Sequence, residues 1–290
     1  MAWWKSSGHA YLKDIKKSLF YIQKPAVFEY KKVNPFKFSL RGSMNILVFG
    51  AHDDDWDEYC GGTLKLYAQA GHTIGVVSMT NGCNFGAARS SAELAHIRKQ
   101  EFEAATSLLG PCKTFWPGAA DGRLENNFET RKIVAGIINE FRPDVIFTHP
   151  PHDYHADHNA TTQLVLDASH AAYYLAVGPR LKYPGAVLPK PPLFPPYPVI
   201  YFYDAEDGHG FLPDDYVDIT SVWETKRQMM NCHRSQNEME AESGENEETP
   251  LAEICGIIGR YRGLQCGVKY AEAFKLYRAA GRVHPCRLLP

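Results

Sequence analysis

The sequence predicts an α/β protein: a Rossmann-like, mostly parallel sheet with helices on both faces. Three observations carry that reading. From Asn45 onward, short and nearly continuous apolar runs alternate with longer amphipathic ones. The apolar runs lack the strict alternation of a half-exposed sheet, so they read as strands covered on both sides. Two of them end in clusters of histidine and aspartate, where open parallel sheets bind ligands.

The strand-like runs are 45–51, 73–80, 113–116, 144–149 and 198–203. Each is short and rich in valine, isoleucine or aromatic residues. Helix-like runs fall near 58–70, 91–109, 128–141, 158–175 and 219–235, with a later pair near 249–262 and 270–279. A strand order of 3-2-1-4-5 makes strands one and four neighbours, and ligands bind in the crevice at their carboxyl ends. No internal repeat is visible.

Strand one delivers His52-Asp53-Asp54-Asp55 directly after Asn45–Ala51. Adjacent carboxylates repel, and desolvating them costs several kcal/mol unless a cation or donor compensates. Strand four delivers His149-Pro150-Pro151-His152-Asp153-Tyr154-His155-Ala156-Asp157-His158, with four of the twelve histidines. Imidazole is the commonest nitrogen ligand of zinc, and catalytic zinc sites keep a position open for water. Two such patches at neighbouring strand ends point to one metal site in one crevice. A solvated acidic turn is the alternative for the first patch alone.

The 290 residues, 44% hydrophobic, suffice for one large domain. Net charge is −2, which gives no basis for a nucleic-acid partner. Seven scattered cysteines without CxxC spacing suggest a reducing, cytoplasmic compartment rather than a disulfide framework. Residues 1–43 read as a basic extension and 44–290 as the domain. The extension holds nine Lys/Arg against Asp14 and Glu29, and Tyr11–Gln23 fits a short amphipathic helix. No segment has transmembrane or signal-peptide length. The segment 178–198 contains eight prolines and reads as a stiff surface loop, whereas 237–253 is glutamate-rich and reads as solvated.

With both clusters in place, the chain resembles the PIG-L/LmbE-like family of zinc-dependent N-acetylglucosaminyl deacetylases. The family's His-Pro-Asp-Asp-Glu motif stands here as His52-Asp53-Asp54-Asp55-Trp56, with Gly61-Gly62-Thr63 fixing the register. His155-Ala156-Asp157-His158 matches the second motif, His-x-Asp-His. Thr80-Asn81-Gly82, Arg98-Lys99-Gln100-Glu101, Asp121-Gly122-Arg123-Leu124, His233-Arg234-Ser235-Gln236 and Tyr270-Ala271-Glu272-Ala273-Phe274 complete an ordered series. Asp53 and Trp56 depart from the usual proline and glutamate, which bears on the substrate more than on the metal.

The resemblance implies one Zn2+ per chain, held by His52, Asp55 and His158, with other divalent metals as alternatives. It makes Asp54 the general base and His155 a donor to the oxyanion, kept protonated by Asp157. Tyr270, or else Tyr154, is a second donor. Arg98 is a substrate contact or a structural partner of Glu101, and Asp121 binds sugar hydroxyls or ends a turn. Trp56 is either a sugar platform or core, Cys60 a small buried residue, and His149 and His152 are left off the metal. The implied substrate is a small amino-sugar conjugate, and by analogy the chain is a homo-oligomer, trimer or hexamer. The leading rival is a two-metal phosphoesterase built on Asp53, Asp54, Asp55 and Asp153. A catalytically dead binding protein would need a damaged motif, and none is present. A dinucleotide oxidoreductase would need GxGxxG where the first turn carries acids.

Overall fold

The computed structural model describes residues 42–84, 90–177, 197–236, 251–279, 282 and 288–290, all within the unit Phe38–Pro290. The expected helix at 11–23, most of the proline-rich loop and most of the acidic loop lie outside the described residues.

Strand β1 (Asn45–Gly50) runs parallel to β2 (Thr73–Ser78) on one side and to β4 (Val145–Thr148) on the other. Strands β3 (Cys112–Phe115) and β5 (Val199–Tyr203) continue the parallel order outward. The five therefore stand as β3-β2-β1-β4-β5, the order expected from the sequence. The alternating side chains of β1 serve two cores. Ile46 and Val48 pack with Trp56, Leu64, Tyr67 and Phe102, whereas Leu47 and Phe49 pack with Val134, Ile138, Phe141 and Leu164. Each such buried side chain contributes about 1.5–3 kcal/mol relative to exposure.

The crossover helices are α1 (Asp55–Gln69), α2 (Ser91–Ser107), α3 (Phe128–Phe141) and α4 (Ala156–Val177). They begin and end on local signals. Ser90 caps α2 by accepting from Glu93 N, and Asn127 forms a capping box with Thr130 at the start of α3. Helices α5 (Trp223–Met230) and α6 (Leu251–Cys266) pack beside α1.

Beyond β5 the structure departs from expectation. The run 270–279 is a strand, β7 (Ala271–Leu276), antiparallel to β5, and β6 (Asp215–Asp218) pairs antiparallel with β7 to close the order. Alanine, glutamate and leucine favour a helix locally, but open backbone edges on both sides of this run outweigh that preference.

Helix α1 is broken at Cys60, where φ −145° and ψ 15° interrupt the ladder. The amide groups this strands find a distant partner. Glu272 of β7 accepts from Gly62 N at 2.9 Å and Thr63 N at 2.7 Å. Lys226 of α5 donates to Glu58 O and to Glu272, each at 2.6 Å. Gly62 is required by proximity, since a Cβ there would lie 2.7 Å from Ile219. Among the described residues, no helix is long and apolar enough to cross a membrane.

Candidate metal centre

The centre starts from a sharp reversal at the end of β1. A Cβ on Gly50 would meet His52 O at 2.9 Å and Asp55 Cβ at 3.0 Å, so only glycine lets the chain fold back here. The turn leads straight into α1, whose first turn carries Asp55, Asp57 and Glu58, the charge that a helix N-terminus favours. Asp55 Oδ2 reaches back to accept from His52 N at 2.7 Å. His149 Nε2, at the end of β4, accepts from Ala51 N at 3.1 Å and fastens the two strand ends together.

Three side chains converge in front of this turn. His52 Nδ1 lies 3.2 Å from His158 Nε2 and 3.6 Å from Asp55 Oδ2, and His158 Nε2 lies 3.4 Å from Asp55 Oδ1. Ligands about 2.0–2.1 Å from a tetrahedral zinc stand about 3.3–3.4 Å apart, so these spacings suit such a cation. The far side of each imidazole faces a carboxylate. His52 Nε2 is 3.3 Å from Asp121 Oδ1 and 3.7 Å from Asp157 Oδ2, and His158 Nδ1 is 3.2 Å from Asp153 Oδ1. Protons directed to those carboxylates leave two lone pairs facing each other at 3.2 Å. Such a pair repels unless a proton or a cation lies between, and an imidazole backed by a carboxylate is the usual form of a metal ligand.

The charges bear this out. Burial pulls the His158 imidazole down, but Asp55 and Asp153 outweigh it and hold it up at about 10. His52 is likewise pulled down by burial and raised well above the usual range by Asp55, Asp121 and Asp157. Burial pushes the Asp55 carboxyl up, yet His158, His149 and His52 hold it well below the ordinary value. Burial, with Asp53 and Asp55 beside it, raises Asp54 to about 6. Asp54 stands at the N-cap of α1 without a capping hydrogen bond from its side chain.

The other expected site residues are placed as follows. His155 faces the centre, its ring 4.6 Å from that of His52 and 4.8 Å from that of His158. Its Nδ1 accepts from Asp157 N at 3.2 Å, and burial together with His52 and His158 lowers its pKa. Asp157 is directed elsewhere: its carboxylate accepts from Gly122 N and Leu124 N and backs His52. Asp121 likewise backs His52 and accepts from Asn84 N.

Arg98 is buried, hydrogen-bonded to Gln236 and 3.9 Å from Asp53 Oδ1, while Glu101 accepts from Ser235. Tyr270 is not brought to the centre; its ring stacks on Trp223 at 4.4 Å. Trp56 is fully buried against Phe102 and donates to Asp53 O, so it is core.

Sequence reasoning set aside His149, which lies 3.0 Å from Asp55 Oδ2 and stacks on His158 at 3.9 Å. Burial first, then His158, lowers it to about 4, so it stays neutral. Its place in the histidine-rich run was the available signal. His233 stands in the sequence as the first residue of the His233-Arg234-Ser235-Gln236 motif. It is fully buried between Asp53 and Asp57, at 3.3 and 3.0 Å. Glu206, whose Oε2 is 4.0 Å from His158 Nδ1, had no sequence signal at all.

The fold and this centre define a metal-dependent enzyme of the α/β class. The family model described as GlcNAc-PI de-N-acetylase, PIG-L, matches residues 47–169. A 4-oxalmesaconate hydratase of Pseudomonas putida is 26% identical over 203 residues, 67% of this chain and 74% of that protein. A Bacillus cereus protein named a probable N-acetyl-α-D-glucosaminyl L-malate deacetylase is 34% identical over 136 residues, 43% of this chain and 60% of its own length. Among solved structures, the N,N'-diacetylchitobiose deacetylase of Pyrococcus horikoshii superposes with a TM-score of 0.64 at 24% identity, covering 96% of this chain and 95% of that one. Residues 47–169 are thus similar to the PIG-L family, and the relatives that match them include a deacetylase and a hydratase.

Proposed function

We propose that this chain is a zinc-dependent deacylase that hydrolyses the acetamide of an N-acetylglucosamine-type sugar conjugate. One observation carries the reading. His52, Asp55 and His158 face one another at metal-ligand spacing, each held from behind, with the Asp54 carboxylate uncommitted to the helix cap beside them. A divalent cation held there supplies Lewis acidity and an acidified water.

The chain's own groups do the rest. Asp54, raised to about 6, removes the proton from the attacking water and returns it to the leaving amine. The Nδ1 of His155 is occupied by Asp157 N–H, so its proton sits on Nε2 and is donated to the developing oxyanion. This donor is a neutral imidazole, not the imidazolium expected from the sequence. Asp121, Asp153 and Asp157 fix the two ligand rings.

The test is acetate release from a panel of N-acetyl sugars, with metal analysis of the same protein. Asp54→Asn is expected to keep zinc and lose turnover, whereas His158→Ala loses both. Normal turnover by Asp54→Asn ends the base assignment. The two-metal alternative is disfavoured, because Asp53 faces Arg98 and His233 and Asp153 stands behind His158.

A second reading has its own support, since the hydratase relative aligns over 74% of its length. The same centre could deliver water to a carbon–carbon double bond conjugated to carboxylates. Consumption of 4-oxalmesaconate without acetate release from any sugar would establish it in place of deacylation.

A further inference from the structure

The residues Asp153–His155 lie in the link from β4 to α4, and their backbone is tightly braced. The Asn159 side chain, in the first turn of α4, accepts from Asp153 N at 3.0 Å. It also donates to Asp153 O at 2.6 Å and to His155 O at 2.9 Å. Asp153 Oδ1 in turn accepts from His155 N at 3.0 Å. A backbone held on both sides of residue 154 presents the side chain there in a fixed direction.

That side chain is a tyrosine, 78% exposed. A lone exposed ring needs no explanation, but this one is held at both ends. Tyr154 meets the His155 ring edge-on with centroids 5.9 Å apart, and its hydroxyl donates to Glu206 on the short turn after β5. The His155 ring lies 4.6 and 4.8 Å from those of His52 and His158, and Glu206 Oε2 lies 4.0 Å from His158 Nδ1. Tyr154 therefore spans two residues that border the centre, and its exposure puts it on the solvent side. Its hydroxyl is committed to Glu206, so the second-donor role expected for Tyr154 gives way to one for the ring face. A pyranose chair carries C–H groups on its faces and hydroxyls around its rim. The electron-rich face of a phenol ring attracts such C–H groups, and contact takes apolar surface of both out of water.

We propose that Tyr154 is the sugar-binding platform of this site, stacking on the apolar face of a pyranose ring of the conjugate. The proposal rests on the deacylase reading and gives the substrate a pyranose ring over Tyr154 while its acetamide lies at the centre. Two rings can supply that face, the one bearing the acetamide or the one joined to it, and the test separates them.

The test measures kcat and KM for acetate release from N-acetylglucosamine and from N,N'-diacetylchitobiose by the zinc-loaded full chain. Calorimetry gives the Kd of each sugar for the Asp54→Asn variant. Adding Tyr154→Ala is expected to raise KM and Kd about tenfold while kcat stays within about twofold. Tyr154→Phe and Tyr154→Trp keep a ring and are expected to stay within about threefold of the native KM and Kd. A rise for both sugars assigns the stacked ring to the sugar that bears the acetamide, and a rise for the disaccharide alone assigns it to the neighbouring ring. KM and Kd that Tyr154→Ala leaves unmoved for both sugars overturn the proposal. So does a loss of about 10²-fold or more in kcat on Tyr154→Phe, the mark of an oxyanion donor. If the native chain releases acetate from neither sugar, the deacylase reading falls and the platform falls with it. An active chain with unmoved KM sinks the platform alone.

Discussion

Asp55 opens α1, takes the His52 amide with one oxygen and faces His158 with the other. One carboxylate thus fixes the turn and faces the proposed metal position. The groups behind the proposed ligands are expected to have smaller and separable effects. Asp121→Asn and Asp153→Asn are each expected to weaken zinc binding about 10-fold to 100-fold, read by competition with a chromogenic chelator. Asp54→Asn is expected to lower kcat about 10²-fold to 10⁴-fold at unchanged zinc content, the range for a lost general base.

Alongside His52 and His158, whose pKa values are also raised, His233 contributes to the pH dependence of folding. Burial pulls its pKa down, but Asp57 and Asp53 raise it well above 6.5. A raised histidine pKa gives stability that is complete below the unfolded value of 6.5 and is lost as pH climbs through the folded one. Urea midpoints should therefore fall with rising pH above about 6.5 in the native chain, and His233→Gln should flatten that slope. At this scale the convergence of His52, Asp55 and His158 was legible, because motif spacing and strand ends pointed to one crevice. The partners of Asp157 and Asp121 were not, since a carboxylate's direction depends on a turn that local sequence does not reveal.

The break in α1 is the clearest case of an element shaped from outside. Among the described residues its freed amides are satisfied by Glu272, and Glu272 is paired with Lys226; both side chains are nearly inaccessible. Removing one partner leaves a buried charge, so Lys226→Met is expected to cost about 3–5 kcal/mol in denaturant unfolding. The double variant Lys226→Met/Glu272→Gln should recover part of that loss, because the uncompensated charge disappears with its partner. Helices α2 and α3 were readable from their apolar runs, whereas their caps at Ser90 and Asn127 came with the structure. Strand β7 was not. Tyr270-Ala271-Glu272-Ala273-Phe274 is helix-compatible locally, and its strand state comes from pairing with β5 and β6. The family motif around Glu272 thus serves the backbone of α1, whereas Tyr270 faces Trp223.

For the molecule as a whole, a cation between His52 and His158 would join the ends of β1 and β4, two strands separated by nearly a hundred residues. Ligand that binds only the folded state stabilises it by about 2.7 kcal/mol at a hundredfold excess over Kd. For a domain of this size that is roughly 5–10 °C of Tm. Chelation is therefore expected to lower Tm by about that amount, and zinc to restore it, in a calorimetric scan of one sample. The central strand order was legible because covered parallel strands leave few arrangements. The antiparallel extension was not, since β6 has only four residues and one fully buried side chain. The tie between α1 and β7 has a consequence for dissection of the chain. Residues 47–169 hold every proposed ligand and the proposed base, yet the helix that presents Asp55 is braced by Lys226 and Glu272, which lie outside that stretch. A fragment ending after α4 would carry the full set of metal-binding side chains on an unbraced scaffold; supplied in trans, the missing C-terminal piece should behave as a complementing half rather than as a separate module.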